Sequence, residues 1–282
     1  STLFTNARIV DGSAPEAGAP VSVLVEGGTI REVGKSVTSA KAKVVDLKGK
    51  TLMPGLIDAH VHVVAGVADL GANARLPYSL VTARSFGIMR AMLMRGFTTV
   101  RDVGGADFGL KQATEEGDFP TPRLVISGKA LSQTGGHADF HLPSGIDLGG
   151  FIGACLVDSV DAARKRAREL LRAGADVIKI ASSGGVSSPN DDPTWLGMRR
   201  EMIAAVVEEG RNYGGRPVAA HAIGYAGIKA AVDAGVHSIE HGYELDDDLR
   251  RQMVDQGTFL VPTLLETMQP VTASPQGAAK SA

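Results

Sequence analysis

The sequence predicts an α/β chain, in which a small N-terminal β-layer precedes parallel βα units of a TIM-like (β/α)8 barrel. Three observations carry that expectation. A β-rich opening without any helix-length periodic segment changes after Pro54 to a rhythm of strand, loop, helix, glycine and strand. Four joints share one cadence, in which a helical pattern stops at a glycine and a short apolar strand follows: Arg95-Gly96-Phe97, Ala173-Gly174-Ala175, Ala234-Gly235-Val236 and Gln256-Gly257-Thr258. Glycine just past a helix end accepts the left-handed cap conformation, so the cadence has a mechanism. Finally, 282 residues with 44% hydrophobic and 21% charged side chains suffice for one barrel-sized core and a smaller layer.

The elements follow in order. Over residues 1–54, the N-terminal β-sandwich portion, Leu3-Phe4 and Ile9-Val10 suggest a first strand. Val21, Val23 and Val25 alternate in a second, and Gly27-Gly28 turns the chain into a third over 29–33. Two short strands over 42–47 and 51–53 complete the layer. The barrel spans 55–268, with strands expected at 56–63, 97–103, 123–128, 176–181, 217–222, 238–242 and 258–264. In the helix before the second joint, Val160, Ala163, Ala167 and Leu170 recur at the spacing of one helical face. That makes seven barrel strands, one short of eight. Residues 269–282 are rich in Pro, Ser, Ala and Gly and read as a linker or disordered tail.

Composition excludes several classes of function. Twenty-nine Lys and Arg against 31 Asp and Glu give a net charge of −2, without the basic footprint of a nucleic-acid or anionic-membrane surface. No apolar run approaches the ~18 residues of a membrane helix. One cysteine, Cys155, rules out an internal disulfide framework. The expected location is the cytoplasm, or outside the cell if a signal peptide has been removed.

Barrel chemistry gathers at the C-terminal ends of the strands, and those ends carry an ordered set of ligand-type residues. The first barrel strand closes on Asp58-Ala59-His60-Val61-His62. Two residues apart on a strand, His60 and His62 project from the same face. Lys179 lies inside the apolar run Val177-Ile178-Lys179-Ile180, His221 ends Val218-Ala219-Ala220, and His241 follows Ile239-Glu240. An inward ammonium is costly. Lys179 therefore reads as a Schiff-base amine or, beside four histidines, as a carbamate formed with CO2 that bridges two cations. The plain alternatives are histidines satisfied at strand ends and a lysine that reaches the rim.

With these motifs in view, the chain resembles the amidohydrolase superfamily, from Leu52-Met53-Pro54-Gly55-Leu56-Ile57-Asp58-Ala59-His60-Val61-His62 through the seventh strand. Within it, the resemblance is to the branch of Xaa-Pro dipeptidases, Xaa-Arg/Lys carboxypeptidases and ochratoxin-type amidohydrolases. Arg101-Asp102-Val103-Gly104-Gly105, Thr134-Gly135-Gly136-His137 and Ser182-Ser183-Gly184-Gly185 carry it. The resemblance implies two divalent metal ions, zinc foremost, held by His60, His62, His221 and His241 and bridged by carboxylated Lys179. It implies hydrolysis of the amide bond to a C-terminal amino acid in dipeptides or N-acyl amino acids, by a metal-bridging hydroxide. Homo-oligomers are common among such relatives. The family's catalytic Asp ends an eighth strand that this sequence does not contain, and truncation is the expected reason.

Residues around this set receive lesser roles. His137, in a Gly-Gly loop, is placed to hydrogen-bond the substrate carbonyl or oxyanion, or is a surface histidine. The resemblance implies that Tyr225, four residues past His221, holds the substrate carboxylate, as a tyrosine at the matching place does in this branch; the alternative is packing at a helix start. Asp102 is expected to cap a loop, with Arg101 as its ion-pair partner, and Ser182 to Gly185 to form an anion-binding nest. His141 is expected to be structural, and His237 has no role. Two other readings use the same residues: a cyclic-amide hydrolase or deaminase, and a non-catalytic, binding-only barrel.

Overall fold

A computed structural model describes residues 1–67 and 69–267, so the 269–282 stretch read as a linker or tail lies outside the described residues. The chain divides into two compact units, Ser1–Leu56 and Ile57–Ala282.

The first unit contains β1 (Thr2–Ile9), β2 (Val21–Glu26), β3 (Thr29–Gly34), β4 (Lys43–Asp46) and β5 (Thr51–Leu52). They form one sheet in the order β3-β2-β1-β4, with β5 pairing β1. The β2–β3 hairpin turns on Gly27 and Gly28 at φ of 55° and 77°, as a two-residue turn with left-handed central residues requires. Leu3, Leu24 and Val37 are its buried core.

The second unit opens with β6 (Leu56–Val61), α1 (Leu70–Ala74), α2 (Tyr78–Met94), β7 (Phe97–Asp102), α3 (Phe108–Glu116) and β8 (Arg123–Ile126). It continues with β9 (Leu131–Ser132), β10 (Cys155–Leu156), α4 (Val160–Arg172), β11 (Ile178–Ala181), α5 (Arg200–Asn212), β12 (Val218–Ala222) and α6 (Tyr225–Asp233). β13 (Ser238–His241), α7 (Asp247–Gln256), β14 (Phe259–Val261) and α8 (Leu264–Thr267) complete it. Gly96, Gly174, Gly235 and Gly257 have φ of 97°, 95°, 80° and 71°, so all four joints turn through the left-handed region where a side chain would be strained. On α4 the buried stripe is Ala163, Ala167 and Leu171, one residue beyond the expected Leu170, which packs only partly buried against the same core.

The sheet departs from a uniform barrel in its third strand. One parallel sheet runs β6-β7-β8, and another runs β10-β9-β11-β12-β13-β14. β8 pairs β7, whereas β9, four residues on, pairs β11 through Leu131 and Ile180. Across the seam the Ile126 carbonyl accepts from Asp176 and Val177. The third barrel position is thus one interrupted strand, shared between two sheets. The core divides at the same place. Val63, Met89, Val100 and Leu124 lie on one side, and Ile178, Ile180, Ile203, Val218 and Ile239 on the other. Each such side chain contributes ~1.5–3 kcal/mol by leaving water.

Among the described residues β6 pairs only β7 and β14 pairs only β13, which leaves an arc of seven strand positions. No described helix is long and apolar enough to cross a membrane.

Candidate active site

Strand register brings the expected residues to one rim. β11 and β12 pair with Ala181 opposite His221, and β12 and β13 with Ala222 opposite His241, so both histidines end their strands at one level. His60 and His62 come from the end of β6, and Lys179 from β11. All five, with His137, line a cavity of about 290 Å³ whose walls also include Leu70, Phe140, Ile152 and Val186. The rings adjoin one another. His60 stands 5.4 Å from His62 and 5.0 Å from His241, and His221 stands 4.7 Å from His241, between centroids. His137 stacks face to face on His221 at 3.9 Å.

As placed, no three His, Cys, Asp or Glu side chains among the described residues already form a metal-binding arrangement. The donor chemistry nevertheless fits divalent metals. Each ring has one nitrogen engaged by a neighbour: His60 Nδ1 with Glu240 Oε2 at 2.7 Å, His62 Nδ1 with the Gly104 carbonyl at 3.0 Å, His221 Nε2 with the Gly184 carbonyl at 2.9 Å, and His241 Nδ1 with Thr263 Oγ1 at 2.8 Å. Ligating histidines are commonly oriented in this way, through a partner on one ring nitrogen.

Burial favours the neutral form of His60 and His221, the form a metal binds. Burial, then the charge of Lys179, drives His60 down to about 3, against the pull of Glu240. Burial also lowers His221 well below the usual histidine value, helped by His137, His241 and Lys179. Glu240 is fully buried, yet the bond with His60 and the charges of Lys179 and Arg101 outweigh burial and hold it at about 2.

Backbone strain also falls on this rim. His241 sits at φ 74° and Thr263, its hydrogen-bond partner, at φ 47°. Non-glycine residues in this region, a β-branched threonine above all, are strained, and such strain concentrates at functional sites. Gly185 approaches His137 so closely that a Cβ there would stand 2.1 Å from the ring's Nδ1.

Two expectations need correction. Arg101 does not pair with Asp102. Neighbours on a strand face opposite ways, and Arg101 donates instead to Glu240 Oε1 at 2.7 Å and to the Ala59 carbonyl at 2.6 Å. Asp102, fully buried, caps the loop after β7 by accepting from the backbone N–H groups of Val63, Gly104 and Ala106. Burial raises its carboxyl above the ordinary value, against His62 and those bonds. Nor do Ser182 to Gly185 leave a nest for an anion. Gly184 N–H donates to the Trp195 carbonyl and Gly185 N–H to Asp191 Oδ2. The glycines are there for close approach, since a Cβ on Gly184 would lie 2.0 Å from the Asp192 carbonyl oxygen.

The remaining candidates separate. His137 is on the cavity wall. Tyr225 opens α6, 43% exposed, and is not among the lining residues. His141 bonds with Asp139 at 2.7 Å, which raises its pKa, and it lies outside the lining as well. His237 accepts from the Val218 N–H. Sequence reasoning passed over Glu240, and also Ser188 and Asp191, which are linked to each other and to His137 Nδ1 at 2.6 and 3.0 Å. The available signal for Glu240 was the one used for Lys179: a charged residue inside an apolar parallel strand.

Comparison with known proteins agrees with this geometry. The Amidohydrolase family pattern matches residues 51–276. Ochratoxinase from Aspergillus niger is 37% identical over 230 residues, which are 75% of this chain and 47% of the relative. A solved amidohydrolase superposes with a TM-score of 0.91 at 44% identity, covering 100% of this chain and 72% of its own. A prolidase solved with N-methylphosphonate-L-proline gives 0.90 at 39% identity, over 99% and 71%. The chain thus spans about half the length of the curated relatives it matches. By the family match and by these relatives, the chain belongs to the amidohydrolase family.

Proposed function

We propose that this chain carries the metal-binding part of a binuclear amidohydrolase, which cleaves the amide bond to a C-terminal amino acid in dipeptides or N-acyl amino acids. The observation that carries the reading is Lys179: 4% exposed on β11, lining the cavity, with its charge felt by His60, His221 and Glu240. A lysine held there as an ammonium is expensive. Attack of its Nζ on CO2, with loss of a proton, converts it to a carbamate anion with two oxygen donors. His60, His62, His221 and His241 supply the imidazoles. Zinc suits such a nitrogen and oxygen set. Bound there, the ions would polarise the substrate carbonyl and lower the pKa of water.

The protein's own residues then do the rest. His137, on the cavity wall, is the residue this reading assigns to hydrogen-bond the substrate carbonyl oxygen or the oxyanion. Leu70, Phe140 and Ile152 give the acyl part an apolar surface and exclude water. The ochratoxinase and the prolidase among the relatives support an amide or peptide substrate ending in a free amino acid.

The test loads the intact protein with zinc, measures metal per chain, and assays Xaa-Pro dipeptides and N-acyl amino acids for released amino acid. Two ions per chain and release abolished by chelator are expected. Release that survives metal removal overturns the reading, as does no release from any such substrate by protein carrying two ions.

A further inference from the structure

Glu240 is given no role in the reading above, yet it is a fully buried carboxylate in hydrogen-bond contact with a cavity-lining histidine. It is 0% exposed, on β13, and does not line the cavity itself. Its two oxygens have different surroundings. Oε1 accepts from Arg101 Nη2 at 2.7 Å and from Ser238 Oγ at 2.6 Å. Ser238 Oγ in turn accepts from Arg101 Nη1 at 3.3 Å, so its own hydrogen is directed to Glu240. Arg101 is anchored a third time, through Nε to the Ala59 carbonyl, next to His60. Oε1 is therefore ringed by donors. Oε2 faces His60 Nδ1 at 2.7 Å.

We infer that Glu240 is a positioning residue that fixes His60 as its Nδ1–H tautomer, so that Nε2 presents the lone pair a metal requires. A carboxylate only accepts, so the ring nitrogen facing it must carry the hydrogen. Arg101 and Ser238 hold the carboxylate in place, and Glu240 holds the ring. The inference rests on the metal-site reading and adds to it the group that makes His60 competent.

The geometry supplies a discriminating substitution. Glu240→Gln keeps the size and shape of the side chain. Its carbonyl oxygen must occupy the Oε1 position, because two donors converge there, which turns its NH2 toward His60. The ring must then accept at Nδ1, carry its hydrogen on Nε2, and lose the ligating lone pair. The experiment records ¹H–¹⁵N spectra of metal-free protein with ring-labelled histidine, His60 being assigned by loss of its signals in His60→Asn. Zinc affinity is measured in parallel by competition with a chromophoric chelator. We expect Nδ1–H in the parent, Nε2–H in Glu240→Gln, and a fall in zinc affinity of about 10–100-fold, the range for such supporting partners.

Glu240→Asp withdraws the carboxylate by one methylene and serves as the second variant. It is expected to give mixed tautomers and an intermediate affinity. An unchanged His60 tautomer in both variants overturns the inference, and so does an inverted tautomer with parental zinc affinity. If the parent binds no zinc, the metallohydrolase reading fails and the metal-presenting role with it. Inversion in Glu240→Gln would still show Glu240 setting the ring.

Discussion

Two glutamates in this chain are nearly sealed from water and gripped by arginine, and they end differently. Glu209 on α5 is 5% exposed and gives both oxygens to arginines of α4: Oε1 to Arg164 and Arg168 at 2.8 and 2.9 Å, Oε2 to Arg168 at 2.8 Å. Glu240 on β13 gives one oxygen to Arg101 and Ser238 and keeps the other for His60. The first is saturated by cations of the neighbouring helix and can only hold α4 against α5. The second has a remaining acceptor, and that acceptor sets a ring on the cavity wall. Where the last lone pairs of a buried carboxylate go separates a fastening from a functional support.

The comparison breaks most severely at Lys179, whose charge Glu240 feels. Lys179→Met is expected to reduce bound zinc from two ions to at most one per chain, and turnover by at least ~1,000-fold, which corresponds to about 4 kcal/mol. The metal-free protein should change little in stability to urea, since the relieved cost of burying an ammonium offsets its lost attraction for Glu240. A large loss of metal-free stability would place Lys179 with the fastenings instead.

Gly185→Ala comes next. With no room for a Cβ beside His137, the ring must move, and a shift of that size costs turnover ~100-fold. Zinc content should stay parental, because the site lost is the cavity wall and not a ligand. Parallel loss of metal would mean that the stacked His221 moves as well.

The smallest effect is expected on the helices. Glu209→Gln should cost about 1 kcal/mol in urea unfolding and leave zinc affinity unchanged. The hydrogen bond from Arg168, then that from Arg164, outweighs burial and holds the Glu209 carboxyl below its ordinary 4.5. A depressed carboxylate contributes stability that is complete above its unfolded value and is lost as pH falls through its folded one. The parent should therefore lose stability more steeply than Glu209→Gln on acidification below about pH 4.5. Parallel curves would show that the arginines contribute packing alone.

Much of this architecture was legible because it obeys local rules. The four glycine joints are visible as residues that must tolerate positive φ, and the ligand candidates as polar residues at the ends of apolar strands. What was not legible depends on partners far along the chain. Arg101 and Asp102 are neighbours with opposite charges, yet they face opposite sides of β7. Glu240 beside Ser238 looks like an ordinary polar pair on a strand, until the curvature of the sheets brings His60 and Arg101 to it. The break between β8 and β9 had no local signal, because Ser127-Gly128 resembles any other turn.

Those distances along the chain have a consequence for synthesis. His60 precedes Glu240 by 180 residues, and Arg101 precedes it by 139. At ribosomal rates of ~5–20 residues per second, the carboxylate arrives about 10–40 s after the first histidine. Until then His60 has no carboxylate to select its tautomer, whereas the partner of His62, the Gly104 carbonyl, is already made. A cation captured during that interval meets two histidines and water, whereas the assembled rim offers four histidines and a lysine. On the metal-site reading, loading is thereby deferred until β13 has been made and takes its place beside β6.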